Sequence, residues 1–180
     1  MVLFKQGTVA DVERIAALHA ESWRQHYQDA FSTDFLEHKV VQDRLTVWKE
    51  RLQHPKPDQY VLIAEENDSL LGFLCSYFNE NSEHGTYLDN LHVKTEAKAR
   101  GIGTRLMANL AEQILDRNEN RGFYLWVLAT NLPAIVFYER IGGERLESVE
   151  ANDIGDRTFT KTRYVWKDMK DFLKSVASKF

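Results

Sequence analysis

Residues 94–107 read KTEAKARGIGTRLM and join an apolar segment to a helix-like one, with Gly101 and Gly103 at the junction. Ordering glycines at a helix start costs extra backbone entropy, so the pattern predicts close approach of something to the main chain. The first N–H groups of a helix have no intrahelical acceptor, and the dipole leaves positive potential on them. A strand, a glycine turn and a helix N-terminus together make an anion site, most often for phosphate. Lys98, Arg100 and Arg105 add positive charge near the same turn. Taken alone, the pattern also fits a tight strand-to-helix connection with no ligand. A P-loop would need G-x-x-x-x-G-K-[ST], which the segment lacks. A dinucleotide fingerprint would need a third glycine where Leu106 stands.

A nucleophilic route would fall to Cys75, the single cysteine. It sits inside LLGFLCSYF with no histidine near it in sequence, which predicts a buried, inert thiol. One cysteine allows no internal disulfide, and six scattered histidines give no zinc-site spacing.

These groups need elements to hold them. MVLFKQGT starts as a short strand, and Thr8 with Asp11 resembles a capping box. Val12, Ile15, Ala16, His19, Ala20 and Trp23 then share one side of an amphipathic helix. A second helix is predicted over 33–52, ended by His54-Pro55-Lys56-Pro57. Strands follow over 60–64 and 70–78 as a hairpin about Asn67-Asp68-Ser69, and over 86–93. A helix over 101–117 carries the stripe Ile102, Leu106, Leu110 and Ile114. FYLWVL (123–128) is another strand, in which Trp126 is expected to be core. Asn131 or Thr130 caps a short helix through Ile141, stopped by Gly142-Gly143. Strands over 144–149 and 158–166 and a terminal helical tail over about 168–180 complete the chain. Helices alternating with strands, plus hairpins, predict an α/β (α+β) fold: a mixed sheet with helices on both faces, in a single domain spanning 1–180.

Lys98-Ala99-Arg100-Gly101-Ile102-Gly103 resembles the Q/R-x-x-G-x-G/A acyl-CoA motif of the GNAT superfamily of N-acetyltransferases, with lysine where arginine or glutamine is usual. Asn131 through Glu139 (NLPAIVFYE), then Gly142, is similar to the second signature, N-x-x-A-x-x-F-Y-E followed by glycine. Leu91-His92-Val93 stands where the family's fourth strand ends, and Glu21–Tyr27 is similar to its first-helix region. The likeness covers nearly the whole chain. It implies a mostly antiparallel sheet of about six to seven strands, with the fourth and fifth splayed into a cleft.

The resemblance implies acetyl-CoA as cosubstrate, no metal, and transfer of the acetyl group to a primary amine by direct attack in a ternary complex. The amides from Arg100 to Thr104 would hold the pyrophosphate. Leu91 and Val93, with His92 between them, would pair with the pantetheine arm like an added strand. Asn131 would bind the arm from the other side, with Ala134 and Phe137 packed near it. Tyr138 would protonate the departing thiolate, and the N–H of Leu91 would meet the developing oxyanion. Strand alternation puts Tyr87, Asp89, Leu91 and Val93 on one face, which makes Asp89 a base, an acceptor-binding group or a structural aspartate, and an amine partly neutral in solution needs no single base. By the same count His92 points away; Glu65 and His84 remain alternative bases. Trp23 and Tyr27, one helical turn apart, would floor the acceptor pocket by the resemblance, or else serve as core aromatics on one helical face.

Composition narrows the partners. The chain has 180 residues, 43% hydrophobic, with a net charge of −4, so it is no polycation suited to nucleic acid. No apolar run approaches the roughly 18 residues of a membrane span. A cytoplasmic enzyme acting on a small-molecule or peptide amine fits, with a homodimer expected from the resemblance. The competing expectation is an acyl-CoA-binding sensor or interaction module without turnover.

Overall fold

The computed structural model describes residues 1–118 and 121–177, so the last three positions of the expected tail lie outside it. Seven strands form one sheet: β1 (Leu3–Gln6), β2 (Gln59–Glu66), β3 (Ser69–Asn81), β4 (Gly85–Val93), β5 (Phe123–Leu128), β6 (Glu144–Ala151) and β7 (Phe159–Trp166). Their spatial order is β1-β2-β3-β4-β5-β7-β6. Only the β4–β5 pair is parallel among these strands. Five helices accompany them: α1 (Val12–His26), α2 (Val40–Gln53), α3 (Ile102–Asp116), α4 (Leu132–Arg140) and α5 (Met169–Ala177).

Local chemistry explains the punctuation. Asp11 Oδ2 accepts from the Thr8 backbone N–H at 2.7 Å and from its hydroxyl at 3.0 Å. This cap opens a short 3₁₀ turn, Val9–Asp11, ahead of α1. Asn67 and Asp68 both take positive φ, 49° and 61°, the paired left-handed geometry of a tight hairpin. The second predicted helix is split: a π-helical turn, Phe35–Lys39, precedes α2.

Helices cover both faces of the sheet. On one, Leu106, Met107, Leu110 and Ile114 of α3 pack with Phe172 of α5 against Leu74, Leu88, Phe123 and Leu125. On the other, Ile15 of α1 and Trp48 of α2 pack on Ile63, Phe73 and Cys75. A satellite cluster of Trp23, Phe31, Val40, Leu128 and Phe159 closes the end of that face. Cys75 is fully buried there, and burial pushes its thiol up to about 12, so it is inert as expected.

Two departures from regular pairing shape the middle of the sheet. Strands β4 and β5 pair only at Thr86/Phe123 and Tyr87/Tyr124, then separate. The β3–β4 register also slips: Cys75 faces Asn90, but Ser76 faces Leu88, leaving Asp89 as the extra residue of a bulge. The expected face shared by Tyr87, Asp89, Leu91 and Val93 is therefore corrected. Leu91 and Val93 pack toward the α3 side, whereas Asp89 meets Arg51 of α2 on the opposite side.

Candidate active site

The cleft opened by β4 and β5 is a cavity of about 630 Å³, well within the range of small-ligand sites. Its far end is the glycine turn. Ala99 (φ 64°) and Gly101 (φ 74°) take left-handed conformations, and Gly101 caps α3. The first helical hydrogen bond there runs from Arg105 N to Gly101 O at 3.0 Å. The amides of Ile102, Gly103 and Thr104 thus precede the helix's own acceptors, and all three residues line the cavity. Of the three nearby cations only Lys98 lines it. Arg100 turns outward to Glu66 at 2.7 Å, a carboxylate that also holds the N-terminal ammonium at 3.3 Å. Arg105 lies 4.5 Å over the Phe4 ring. The expected charge from Arg100 and Arg105 is thereby corrected: each side chain has a partner outside the cleft.

The middle of the cleft offers free main chain. Lys94 N donates to Leu71 O at 2.8 Å. In an antiparallel ladder hydrogen-bonded pairs alternate with non-bonded ones. Counting back along the register, Phe73/His92 is bonded, while Gly72/Val93 and Leu74/Leu91 are not. The N–H and C=O of Leu91 and Val93 therefore turn away from β3, toward the space β5 has left. Across it, α4 presents Ala134, Phe137 and Tyr138, and Asn131 caps α4 by accepting from Ala134 N at 3.3 Å.

The near end is aromatic and ionisable. Burial pushes the Tyr138 phenol well above its ordinary range, with a further push from Tyr27. Tyr27 itself is raised to about 12 by burial and by the Asp89 carboxylate. Asp89 Oδ2 forms an ion pair with Arg51 Nη1 at 2.7 Å. Arg51 Nη1 also donates to Asn90 Oδ1 at 2.8 Å. His92 Nδ1 stands 2.8 Å from Ser22 Oγ of α1. Burial, reinforced by the charges of His26, Arg44 and Lys98, lowers His92 to about 3. Behind it His19 is fully buried and accepts from Trp48 Nε1 at 2.9 Å; burial first, then His92, holds it well below its ordinary value.

The cavity wall contains Leu91, His92, Val93, Lys98, Ala99, Gly101–Thr104, Asn131, Ala134, Phe137, Tyr138, Asp89 and Tyr27. Trp23 is a correction: it is buried and outside the cavity lining, stacked 5.3 Å from the Tyr27 ring, with Arg44 4.0 Å over its own ring. Trp126 is the opposite correction: it is only half-buried and lines the cavity, with Arg163 4.5 Å and Lys161 4.9 Å over its ring. A strand this close to the splay has one face open, so an apolar run did not mean burial. Glu65 binds Arg14 at 2.7 Å away from the cleft, and His84 packs on Tyr124. Sequence reasoning missed the α1 wall, formed by Leu18, Glu21, Ser22, Gln25 and His26. Their spacing of three and four was the available signal.

The sheet is thus parted between its two parallel neighbours, with unpaired helix amides at one end of the gap and a buried tyrosine at the other. The chain belongs to the acetyltransferase (GNAT) family, whose model matches residues 13–143, and it is an acyltransferase. It is 29% identical over 150 residues to the uncharacterized N-acetyltransferase YuaI of Bacillus subtilis (strain 168), covering 81% of this chain and 82% of that one. The thialysine N-epsilon-acetyltransferase of Sus scrofa is 26% identical, covering 65% and 76%. In fold the chain is similar to PaiA N-acetyltransferase from Thermoplasma acidophilum in complex with coenzyme A (TM-score 0.67, 19% identity, 92% of this chain and 99% of that one). It is also similar to NAA60 of Arabidopsis thaliana in complex with a bisubstrate analogue (TM-score 0.69, 19% identity, 93% and 98%). No helix among the described residues is long and apolar enough to cross a membrane.

Proposed function

We propose that this protein transfers the acetyl group of acetyl-CoA to a primary amine of a small molecule or peptide, by direct attack within a ternary complex. The observation that carries the reading is the continuous cleft from the Gly101–Thr104 amides, past the free N–H groups of Leu91 and Val93, to Tyr138. The diphosphate docks on the glycine-turn amides, and the pantetheine amides bond Leu91 and Val93 as a short extra strand. This places the thioester carbonyl at the Leu91 N–H, which meets its oxygen as negative charge develops.

The neutral amine attacks the carbonyl carbon, a C–N bond forms, and the tetrahedral intermediate expels the CoA thiolate by breaking C–S. Tyr138 gives the thiolate its phenolic proton. A buried phenol is a weak acid, but desolvation raises thiols as well. Closure of the cleft around the bound thioester would raise the thiol towards the phenol, which narrows the gap between the two partners.

His92 is a poor proton acceptor, because burial first, and then the charges of His26, Arg44 and Lys98, oppose its protonation. Asp89 is the carboxylate at the acceptor end. Anchored by its ion pair with Arg51, it holds the amine N–H and takes its proton directly or through water. Tyr27 and Trp126 line the same cavity with aromatic surface. Similarity to a thialysine N-epsilon-acetyltransferase supports an amine as acceptor. The test is an acetyl-CoA turnover screen across polyamines, amino acids, thioether amines, aminoglycosides and peptides. Release of CoA with one of them supports the reading; CoA binding without turnover on any would make the protein a sensor.

A further inference from the structure

The α1 wall holds one cationisable group beside the glycine turn. Thr95 Oγ1 donates to Gln25 Oε1 at 3.3 Å, which stitches the last turn of α1 to the segment that leads into Gly101. His26 follows Gln25 and Lys98 follows Thr95 by three, so both lie along this seam, and both line the cavity. His26 is half-buried, and burial followed by the Lys98 charge keeps it below its ordinary value. The other ionisable groups on this part of the wall are Lys94 from the same segment, His92 from β4, Arg140 from α4 and Glu21 from α1 itself. Glu21 is drawn toward Gln25, whose Nε2 donates to it at 3.3 Å.

We propose that His26 is a further ligand of the cofactor diphosphate, binding it together with Lys98 and the glycine-turn amides and taking up a proton as it docks. The inference rests on the acyl-CoA reading of the cleft. Without ligand, Lys98 opposes a second positive charge beside it. A diphosphate brings two negative charges to the same place, satisfies Lys98, and reverses the local field on His26. Linkage then requires binding to tighten as pH falls toward the range in which free histidine titrates.

The test is titration calorimetry with dephospho-CoA, whose diphosphate diester has no group titrating near neutrality. It is run at pH 7 in MOPS and in imidazole, buffers of different ionisation enthalpy that bring no phosphate to the site. The expected result is net proton uptake by the native protein, with about threefold tighter binding at pH 6 than at pH 8. In His26→Gln uptake and pH dependence both vanish, while His84→Gln, remote from the cleft, behaves as native. Should His26→Gln fold poorly, NMR titration of the native His26 ring serves instead, with a midpoint that rises on saturation with dephospho-CoA. Binding without uptake, uptake that persists in His26→Gln, or an unmoved midpoint overturns the proposal and leaves the acyl-CoA reading intact. No binding of dephospho-CoA or CoA at all overturns that reading instead.

Discussion

A Cβ placed on Gly103 would stand 3.2 Å from Cζ of Phe137, closer than such contacts normally come. Two segments far apart in sequence, the start of α3 and the middle of α4, thus close on each other across the end of the cleft. The absence of a side chain on Gly103 lets the α4 ring and the α3 amides share that space. This contact packs the glycine turn against the helix that carries Tyr138.

Gly103→Val therefore tests the turn. Its methyl groups would displace the Phe137 ring and crowd the amides. The expected outcome is CoA affinity at least about tenfold weaker, with overpacking costing about 1–3 kcal/mol. Calorimetry with CoA and a urea melt measure the two effects separately.

Tyr138→Phe removes the proton donor and keeps the ring. CoA affinity is expected to stay native while kcat falls by about 10²-fold, the lower range for a positioned acid. The comparison is kcat with the best acceptor against the CoA dissociation constant. An unchanged kcat across the pH range would remove Tyr138 from the acid role.

Asp89→Asn separates acceptor binding from cofactor binding. The acceptor KM is expected to rise and kcat to fall, with CoA affinity unchanged. The variant also leaves Arg51 with its charge unbalanced, so stability should drop by about 1–3 kcal/mol. Adding Arg51→Met should recover much of the stability but none of the acceptor affinity, which a double-mutant cycle reads directly.

Acid sensitivity follows from two buried histidines. His19 and His92 are both held well below the ordinary histidine value, mainly by burial. Between their folded values and about 6.5, the unfolded chain binds protons that the folded one excludes. Stability is therefore full above about pH 6.5 and falls as pH drops, by up to roughly 2.7 kcal/mol per pH unit for two sites. Urea unfolding between pH 5 and 7.5 measures this slope, and His92→Gln should halve it. A second loss belongs to lower pH. Glu65 is lowered mainly by Lys5, while Asp11, against the opposing effect of burial, is lowered by Thr8 and Arg14. That contribution is present above the ordinary carboxylate value and disappears as pH falls through the folded one.

Much of the architecture was legible in the residues themselves. Asn67-Asp68, Gly142-Gly143 and the period of Ile102, Leu106, Leu110 and Ile114 mark element ends and faces, because turn chemistry and helical spacing are local. The two GNAT-like motifs place the glycine turn and Tyr138 on one cleft. The bulge at Asp89 was not legible, since alternation counts assume an unbroken ladder and only β3 pairing reveals the extra residue. Trp126 was misplaced for a related reason: the splay of β4 from β5 exposes a strand that reads as core. The polar α1 wall was passed over because Glu21, Ser22, Gln25 and His26 look like an ordinary solvated face until the sheet opens opposite them.

The central claim is tested most directly by a ¹H–¹⁵N titration of the protein with CoA. The account predicts that the amides of Leu91, Val93 and Gly101 through Thr104 shift first and furthest, saturating together as one site. Saturable binding that leaves those six amides unmoved would contradict it.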